Sequence, residues 1–393
     1  MMHDHQAGSD RPAGHGGHVN PRRRVTGSTV FFPAATVYAI FVLPASVFAM
    51  LGFTGALPAL ASATGHAHEM LFGFALAVVA GNQLGPMAKP RVALLAGLWV
   101  IARATFLSAP QSMTAAAANI AFAALLAAHL APRLLGAAKK LRNQALPLVL
   151  TAICVSSIVF QLAPHAGFAA ATHTILAVAV LLFALLMLFM GGRLIAPTVA
   201  GQFYRQGSKL DARVQPRIEG SLIVAMTVAT AASAFGGEPR FVMLAAAATI
   251  VAGVLSAMRL LRWRLWALRG RPDLLCLAAG YGWLAIGLLL YGATLAAGHY
   301  QTAALHIITV GALGTLTLNV MVMTWTLKAR QDPSRASAPV WATLLIAAAA
   351  LARALASFGV YDPLVLLQFA ALCWSGAFGL LLIRLARVGV RRN

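Results

Sequence analysis

Apolar runs, each long enough to cross the roughly 30 Å hydrocarbon core of a bilayer, recur along nearly the whole chain and restrict its fold more than any other feature. In lipid a segment must satisfy its own backbone hydrogen bonds, which a helix does and an open strand does not. The sequence therefore predicts an all-α fold, a polytopic membrane helix bundle. The twelve predicted spans are residues 29–52, 68–88, 91–109, 112–132, 144–163, 168–192, 219–236, 240–260, 273–297, 302–327, 339–358 and 363–386.

Charged residues make up 10% of the sequence, against roughly 25% in soluble domains, and their placement predicts the topology. Basic residues collect before the first span and in every second connection, whereas the other connections contain a single one, Arg240. Basic connections stay on the cytoplasmic side, so both termini are predicted to be cytoplasmic. The formal net charge of +21 then indicates contact with anionic lipid, and a lipid bilayer rather than a nucleic acid is the expected partner.

The chain divides into a tail and one membrane domain. Residues 1–28 are polar and predict a disordered cytoplasmic tail, in which scattered histidines have no fixed geometry. Residues 29–393 form the predicted twelve-span transmembrane domain, two six-span halves joined by the 193–217 cytoplasmic loop. The tail lacks the pattern of a cleaved signal peptide. The three cysteines of the chain, Cys154, Cys276 and Cys373, all lie in the membrane domain. They have no CxxC or CxxCH spacing, which excludes covalent c-type haem and favours burial as small hydrophobic residues.

Two imidazoles and a carboxylate stand together at the start of the second span, in the stretch GHAHEMLFGF at 65–74. A carboxylate is costly there and needs a reason. His66 and His68 are two residues apart, so on a helix they point to different faces, and the sequence leaves open which one faces inward. We expect His68 to be a ligand because apolar residues continue its face. Glu69 could fix the tautomer of a ligating histidine, accept protons, or simply pair with an arginine.

A similar pattern returns near the end of the chain. His306 opens the tenth span with the same His-x4-Gly spacing as His68, and each of the following spans contains an Ala-Arg-Ala triplet, at Arg103 and at Arg353. Neutral imidazole is a common ligand of metals and of haem iron. His173, near the start of the sixth span, is a further candidate ligand that a structural role explains at least as well.

Arg103 and Arg353 lie within predicted spans, where a cation requires a partner because arginine does not deprotonate. Haem propionates, another bound anion and Glu69 are all suitable partners. Snorkelling of the side chains to the outer interface is the structural alternative.

These motifs resemble those of the NnrS family of bacterial membrane proteins. The closest matches are HAHEMLFGF at 66–74 and ALHIITVGALGTLTL at 304–318, supported by RNQALPL at 142–148, GGRLI at 191–195 and GYGW at 280–283. The resemblance implies a bacterial inner-membrane protein associated with haem, copper and the response to nitric oxide. Histidines that many members carry are replaced here by Gln161 and Ala278, and the end of the tenth span lacks their Gly-His-Thr-Gly-Arg turn. These departures leave the number of bound metals open.

The leading hypothesis is a haem-binding protein, with or without copper, that protects against nitric oxide through a histidine-ligated site near the outer face. In this hypothesis His68 and His306 are ligands, Arg103 and Arg353 balance anionic groups, and Glu69 orients a ligand. Whether the protein turns over a substrate is left open, because the sequence shows no path for protons. The alternatives are a transporter of metal, haem or a small anion, and an assembly factor without a cofactor. The predicted cofactor-binding residues are His66, His68, His306, Glu69, Arg103 and Arg353, and the predicted metal ligands are His66, His68, His306 and His173.

Overall fold

The computed structural model describes residues 24–53, 55–137, 141–335 and 337–390, and over these residues the chain forms twelve long helices. In chain order they are α1 (Ser28–Met50), α2 (63–83), α3 (Lys89–Ser108), α4 (Met113–Ala137), α5 (Leu141–His165), α6 (172–205), α7 (Pro216–Ala234), α8 (Pro239–Arg262), α9 (Pro272–Ala297), α10 (Gln301–Lys328), α11 (Ala338–Phe358) and α12 (Pro363–Val390).

Length and hydropathy confirm the predicted class of a polytopic helical membrane protein. Within the described residues, ten of the helices are long and apolar enough to cross a membrane. The other two, α2 and α7, contain charged residues, Glu69 in α2 and Arg217 with Glu219 in α7. Several helices begin at a proline, for example at Pro216, where the missing N–H costs nothing and the fixed φ angle suits the first turn.

The last helix closes the bundle against the first. In α12, Trp374 donates its indole N–H to the carbonyl of Ala39 in α1 at 3.1 Å, and the Ser375 hydroxyl donates to the carbonyl of Ile40 at 2.8 Å. These bonds let two helices far apart in the sequence approach closely in lipid, where polar contacts between spans add to packing.

Three helices, α2, α6 and α10, contact one another at the centre of the bundle. Each changes from α-helical to π-helical hydrogen bonding part-way along, at Glu69–Ala75, Gly191–Ile195 and Ile307–Gly314 respectively. Such π-helical segments are rare and are frequent at functional sites. Two of them directly follow a predicted ligand, His68 or His306. We call the end of the bundle where α2 and α10 begin the outer end, after the predicted topology, and the opposite one the inner end.

The structure differs from the prediction at both ends of α2. The helix begins near Ser62, whose hydroxyl accepts a hydrogen bond from the Gly65 N–H at 3.0 Å and caps the first turn, so His66 lies inside the helix. It ends at Gln83, and Pro86–Ala88 then pairs as β2 with an antiparallel strand β1, Arg24–Thr26. The end of the predicted tail is therefore ordered, whereas residues 1–23 lie outside the described residues.

The predicted 193–217 loop is also shorter in the structure. The pair Gly191 and Gly192 suggests a helix end, but α6 passes through it in π-helical form and continues to Arg205. The connection between the two halves is therefore confined to residues 206–215.

Candidate cofactor site

A buried ion pair lies at the outer end of α2. The Arg103 guanidinium of α3 donates through Nη1 to Glu69 Oε1 at 2.5 Å, and both side chains are almost completely inaccessible to solvent. The same oxygen accepts from Nδ1 of His68 at 2.9 Å, while the Tyr38 hydroxyl of α1 donates to Oε2. The amide oxygen of Asn119 in α4 accepts from Arg103 Nη2. Glu69 thus pairs with an arginine and also fixes the tautomer of a histidine, as two of the sequence hypotheses propose.

The His68 ring is fully buried and both of its nitrogens are hydrogen-bonded. Because Nδ1 donates to a carboxylate, Nε2 carries the lone pair and accepts from the amide group of Gln161 in α5 at 2.7 Å. The ring stacks on Phe106 and Phe160, with centroid distances of 3.8 Å and 4.9 Å. These contacts fix His68 within a closed network.

Gly73 makes room for this network within the π-helical segment. A Cβ atom at this position would lie 2.8 Å from Arg103 Nη1 and 3.0 Å from Glu69 Oε2. The Gly73 carbonyl also accepts from the Trp99 indole N–H at 2.9 Å, which ties α2 to α3. The glycine in the His-x4-Gly pattern is therefore required by the close approach of the ion pair.

His66 belongs to a second cluster, together with His306 of α10 and Arg353 of α11. Arg353 lies within electrostatic range of both imidazoles, and His66 lies within that range of His306. All three side chains are half-buried. His66 Nδ1 lies 2.9 Å from the Ser46 hydroxyl of α1, and His306 Nδ1 lies 2.7 Å from the Thr302 carbonyl. We call these three residues the outer histidine cluster.

The sequences at the two matching histidines explain why the clusters differ. His68 is followed by Glu69, whereas His306 is followed by Ile307, so α10 supplies no carboxylate to Arg353. Arg353 donates instead to the Ser357 hydroxyl, one turn along its own helix, at 2.6 Å. The first arginine is thus neutralised within the protein, while the second lies beside two imidazoles.

A comparison with models of known protein families identifies the family of this chain. The model of the NnrS family, described as NnrS protein, matches residues 26–392, nearly the whole chain. The chain belongs to the NnrS family. No curated protein and no solved structure gives a significant match.

Within this NnrS protein the remaining candidate histidines lie apart from the two clusters. His173, predicted as a metal ligand, is exposed at the start of α6, and His165 and His299 are exposed near the same end. Over the described ranges, no group of three or more His, Cys, Asp and Glu side chains is placed to hold a metal ion. The two imidazoles of the outer histidine cluster come from different helices, α2 and α10.

Sequence reasoning missed the partners that hold the clusters in place. Tyr38, Ser46 and Asn119 each supply one hydrogen bond to a predicted residue. Asn119 is an amide within an apolar span, which is itself a sign of a buried polar contact. Gln161 is likewise an amide within an apolar span, and that feature is the signal that could have placed it beside His68.

Proposed function

We propose that the outer histidine cluster would hold a b-type haem, with the imidazoles of His66 and His306 binding its iron. The hydrogen bonds of both imidazoles support this assignment. His306 Nδ1 must be protonated because its partner, the Thr302 carbonyl, only accepts. The Ser46 hydroxyl donates its proton to the Leu60 carbonyl at 3.2 Å, so it accepts from His66 Nδ1. Each ring therefore presents an unprotonated Nε2, the form that binds iron.

The residues around the pair suit haem chemically. Two imidazoles from facing helices are a usual ligand set for haem iron within a helix bundle. Arg353 supplies a fixed positive charge beside them, which favours the propionate groups. When bound, the haem would supply reversible redox chemistry at its iron. The protein's own residues orient the imidazoles and balance charge. A copper ion would need a separate set of ligands.

Membership of the NnrS family supports a role in protecting the bacterial cell against nitric oxide and nitrosative stress. We place the protein in the inner membrane with both termini in the cytoplasm. With this topology the outer histidine cluster lies near the periplasmic face. Nitric oxide that enters from outside the cell would reach the cluster before it reaches the cytoplasm.

Absorption spectra of the purified protein and of single variants test the ligand assignment. His66→Ala and His306→Ala should each abolish the spectrum of the reduced haem and lower the haem content per chain, since each removes one of the two imidazoles proposed to bind the iron. His299→Ala removes an exposed histidine at the same end and should leave both measurements unchanged.

A further variant distinguishes between the two neighbouring histidines. His68→Asn retains a side chain able to form hydrogen bonds within the Glu69 network, so haem should be retained. Loss of haem in His68→Asn with retention in His66→Ala would transfer the ligand role to His68. Retention in the double variant His66→Ala, His306→Ala would contradict the proposal.

Transport of a metal, haem or a small anion is the competing hypothesis. Transporters of cations usually place carboxylates within the membrane, but Glu69 is already bonded to His68, Arg103 and Tyr38. A colourless purified protein that accumulates a substrate in vesicles would favour transport over haem binding.

A further inference from the structure

A second polar site lies at the inner end of the bundle, between α6, α7 and α8. It is a cavity of about 130 Å³. One water molecule needs roughly 10–15 Å³ of such space, so the cavity can hold several waters or a small polyatomic ion. Its lining is divided between apolar side chains and charged ones. The charged residues of the lining are Arg193, Arg213, Glu219 and Arg259.

Arg259 forms the buried base of this cavity. Its side chain is 4% exposed, and it donates through Nη2 to Glu219 Oε1 at 2.8 Å and through Nη1 to the Leu188 carbonyl at 3.0 Å. Its Nε–H group is buried and has no hydrogen-bond partner among the described residues. A buried donor without a partner is destabilising, so Arg259 is held at this position at a cost to the free energy of folding.

Two exposed arginines add charge at the rim, Arg193 from the π-helical segment of α6 and Arg213 from the connection that follows it. Three arginines and one glutamate leave the lining with a formal charge of +2, counted as three positive charges minus one. Such an excess of guanidinium groups is typical of sites for phosphate and related oxyanions, which arginine recognises through paired hydrogen bonds.

The backbone of α6 is adapted to this arrangement. A Cβ atom at Gly192 would lie 2.4 Å from Arg259 Nη2, so only glycine lets the guanidinium reach Glu219 across the helix. The π-helical segment Gly191–Ile195 spans this point and carries Arg193 to the rim. The local helix distortion and the cavity therefore coincide, just as the π-helical segment of α2 coincides with the buried ion pair at Gly73.

We propose that this inner cavity binds a phosphate-bearing anion, with Arg259 at its base and Arg193 and Arg213 at its rim. The ligand chemistry is a phosphate group held by guanidinium donors, with apolar side chains along the rest of the cavity wall. Such a group comes either from the headgroup of an anionic phospholipid in the inner leaflet or from free inorganic phosphate. The site lies at the opposite end of the bundle from the outer histidine cluster and needs no haem.

Binding measurements on the full-length protein in detergent distinguish the two sources. The first arm follows the thermal unfolding midpoint with inorganic phosphate against chloride at equal ionic strength. The second counts phosphatidylglycerol and phosphatidylcholine molecules retained per chain by native mass spectrometry. A midpoint raised by phosphate assigns a free anion, and selective retention of phosphatidylglycerol assigns a lipid headgroup.

Variants at the rim test the location of the site. Arg193→Gln and Arg213→Gln should each weaken binding by about tenfold or more, since a charge-assisted hydrogen bond contributes roughly 1.5–3 kcal/mol. Arg269→Gln is the matched control, because it removes an exposed arginine at the same end but outside the cavity. The proposal is overturned if neither ligand binds, or if Arg269→Gln weakens binding as much as the rim variants.

Discussion

Glu69 is the residue on which the outer end of α2 depends. It is fully buried and accepts hydrogen bonds from Arg103, His68 and Tyr38. Glu69→Gln keeps the shape of the side chain but leaves the Arg103 charge buried without its counter-ion, a change that typically costs about 3–5 kcal/mol. We expect a loss of this size in the free energy of unfolding, measured by denaturant titration in mixed micelles.

A surface pair provides the control for this substitution. Glu238 pairs with Arg240 at 3.4 Å, and both side chains are more than half exposed. Glu238→Gln should therefore change the free energy of unfolding very little, because exposed pairs contribute little. Combining Glu69→Gln with Arg103→Met should recover part of the loss by removing the unpaired cation. Equal losses in Glu69→Gln and Glu238→Gln would show that the buried network does not stabilise the fold.

For individual residues, the sequence predicted which side chains take part in polar contacts better than it predicted their partners. The two-residue spacing of His66 and His68 correctly predicted that the rings point to different faces, since one bonds Ser46 and the other Gln161. Pairing of Glu69 with an intramembrane arginine was also among the hypotheses. The choice of Arg103 over Arg353 could not be predicted, because it depends on the rotation and depth of α3 and α11 relative to α2.

The π-helical segments are the elements that the sequence did not reveal. A π-helical turn inserts one residue without changing the apolar character of a span, so a hydropathy profile does not detect it. Its effect is seen where the predicted ends of a span differ from the ends of the helix. The predicted end of the sixth span at 192 falls within the π-helical segment of α6, and the actual helix continues to Arg205. The predicted fold class was insensitive to these errors because each run is still one helix.

Gly73 tests whether the close approach in the π-helical segment of α2 is required. Gly73→Ala would place a Cβ atom 2.8 Å from Arg103 Nη1, so the ion pair must shift and the free energy of unfolding should fall by roughly 1–3 kcal/mol. Gly97→Ala is the matched control, because nothing lies within 4 Å of the added atom in α3. That variant should be neutral or more stable by up to about 1 kcal/mol, since alanine favours helices. Similar effects at both glycines would contradict the steric argument.

On the scale of the whole molecule, two polar sites occupy opposite ends of one apolar bundle. The outer histidine cluster lies where α2 and α10 begin, and the arginine-lined cavity lies beside the inner half of α6. Both are adjacent to π-helical segments of the central helices. The central helices contribute His66, His306 and Arg193 to these sites, whereas neighbouring helices contribute Arg353 and Arg259, so the polar groups lie between helices rather than towards lipid. This division follows from the high cost of polar groups that face hydrocarbon.

The alternation of basic connections predicts the orientation of the bundle in the membrane. The native cysteines, Cys154, Cys276 and Cys373, are all buried, so a cysteine introduced in a connection is the one that reagents should reach. Ser208 lies exposed in the connection after α6 and Gln111 in the connection after α3, at opposite ends of the bundle. Because basic connections stay in the cytoplasm, a membrane-impermeant maleimide added to intact spheroplasts should label Gln111→Cys but not Ser208→Cys. Permeabilisation should expose both, and the reverse labelling would invert the bundle and move the outer histidine cluster to the cytoplasmic face.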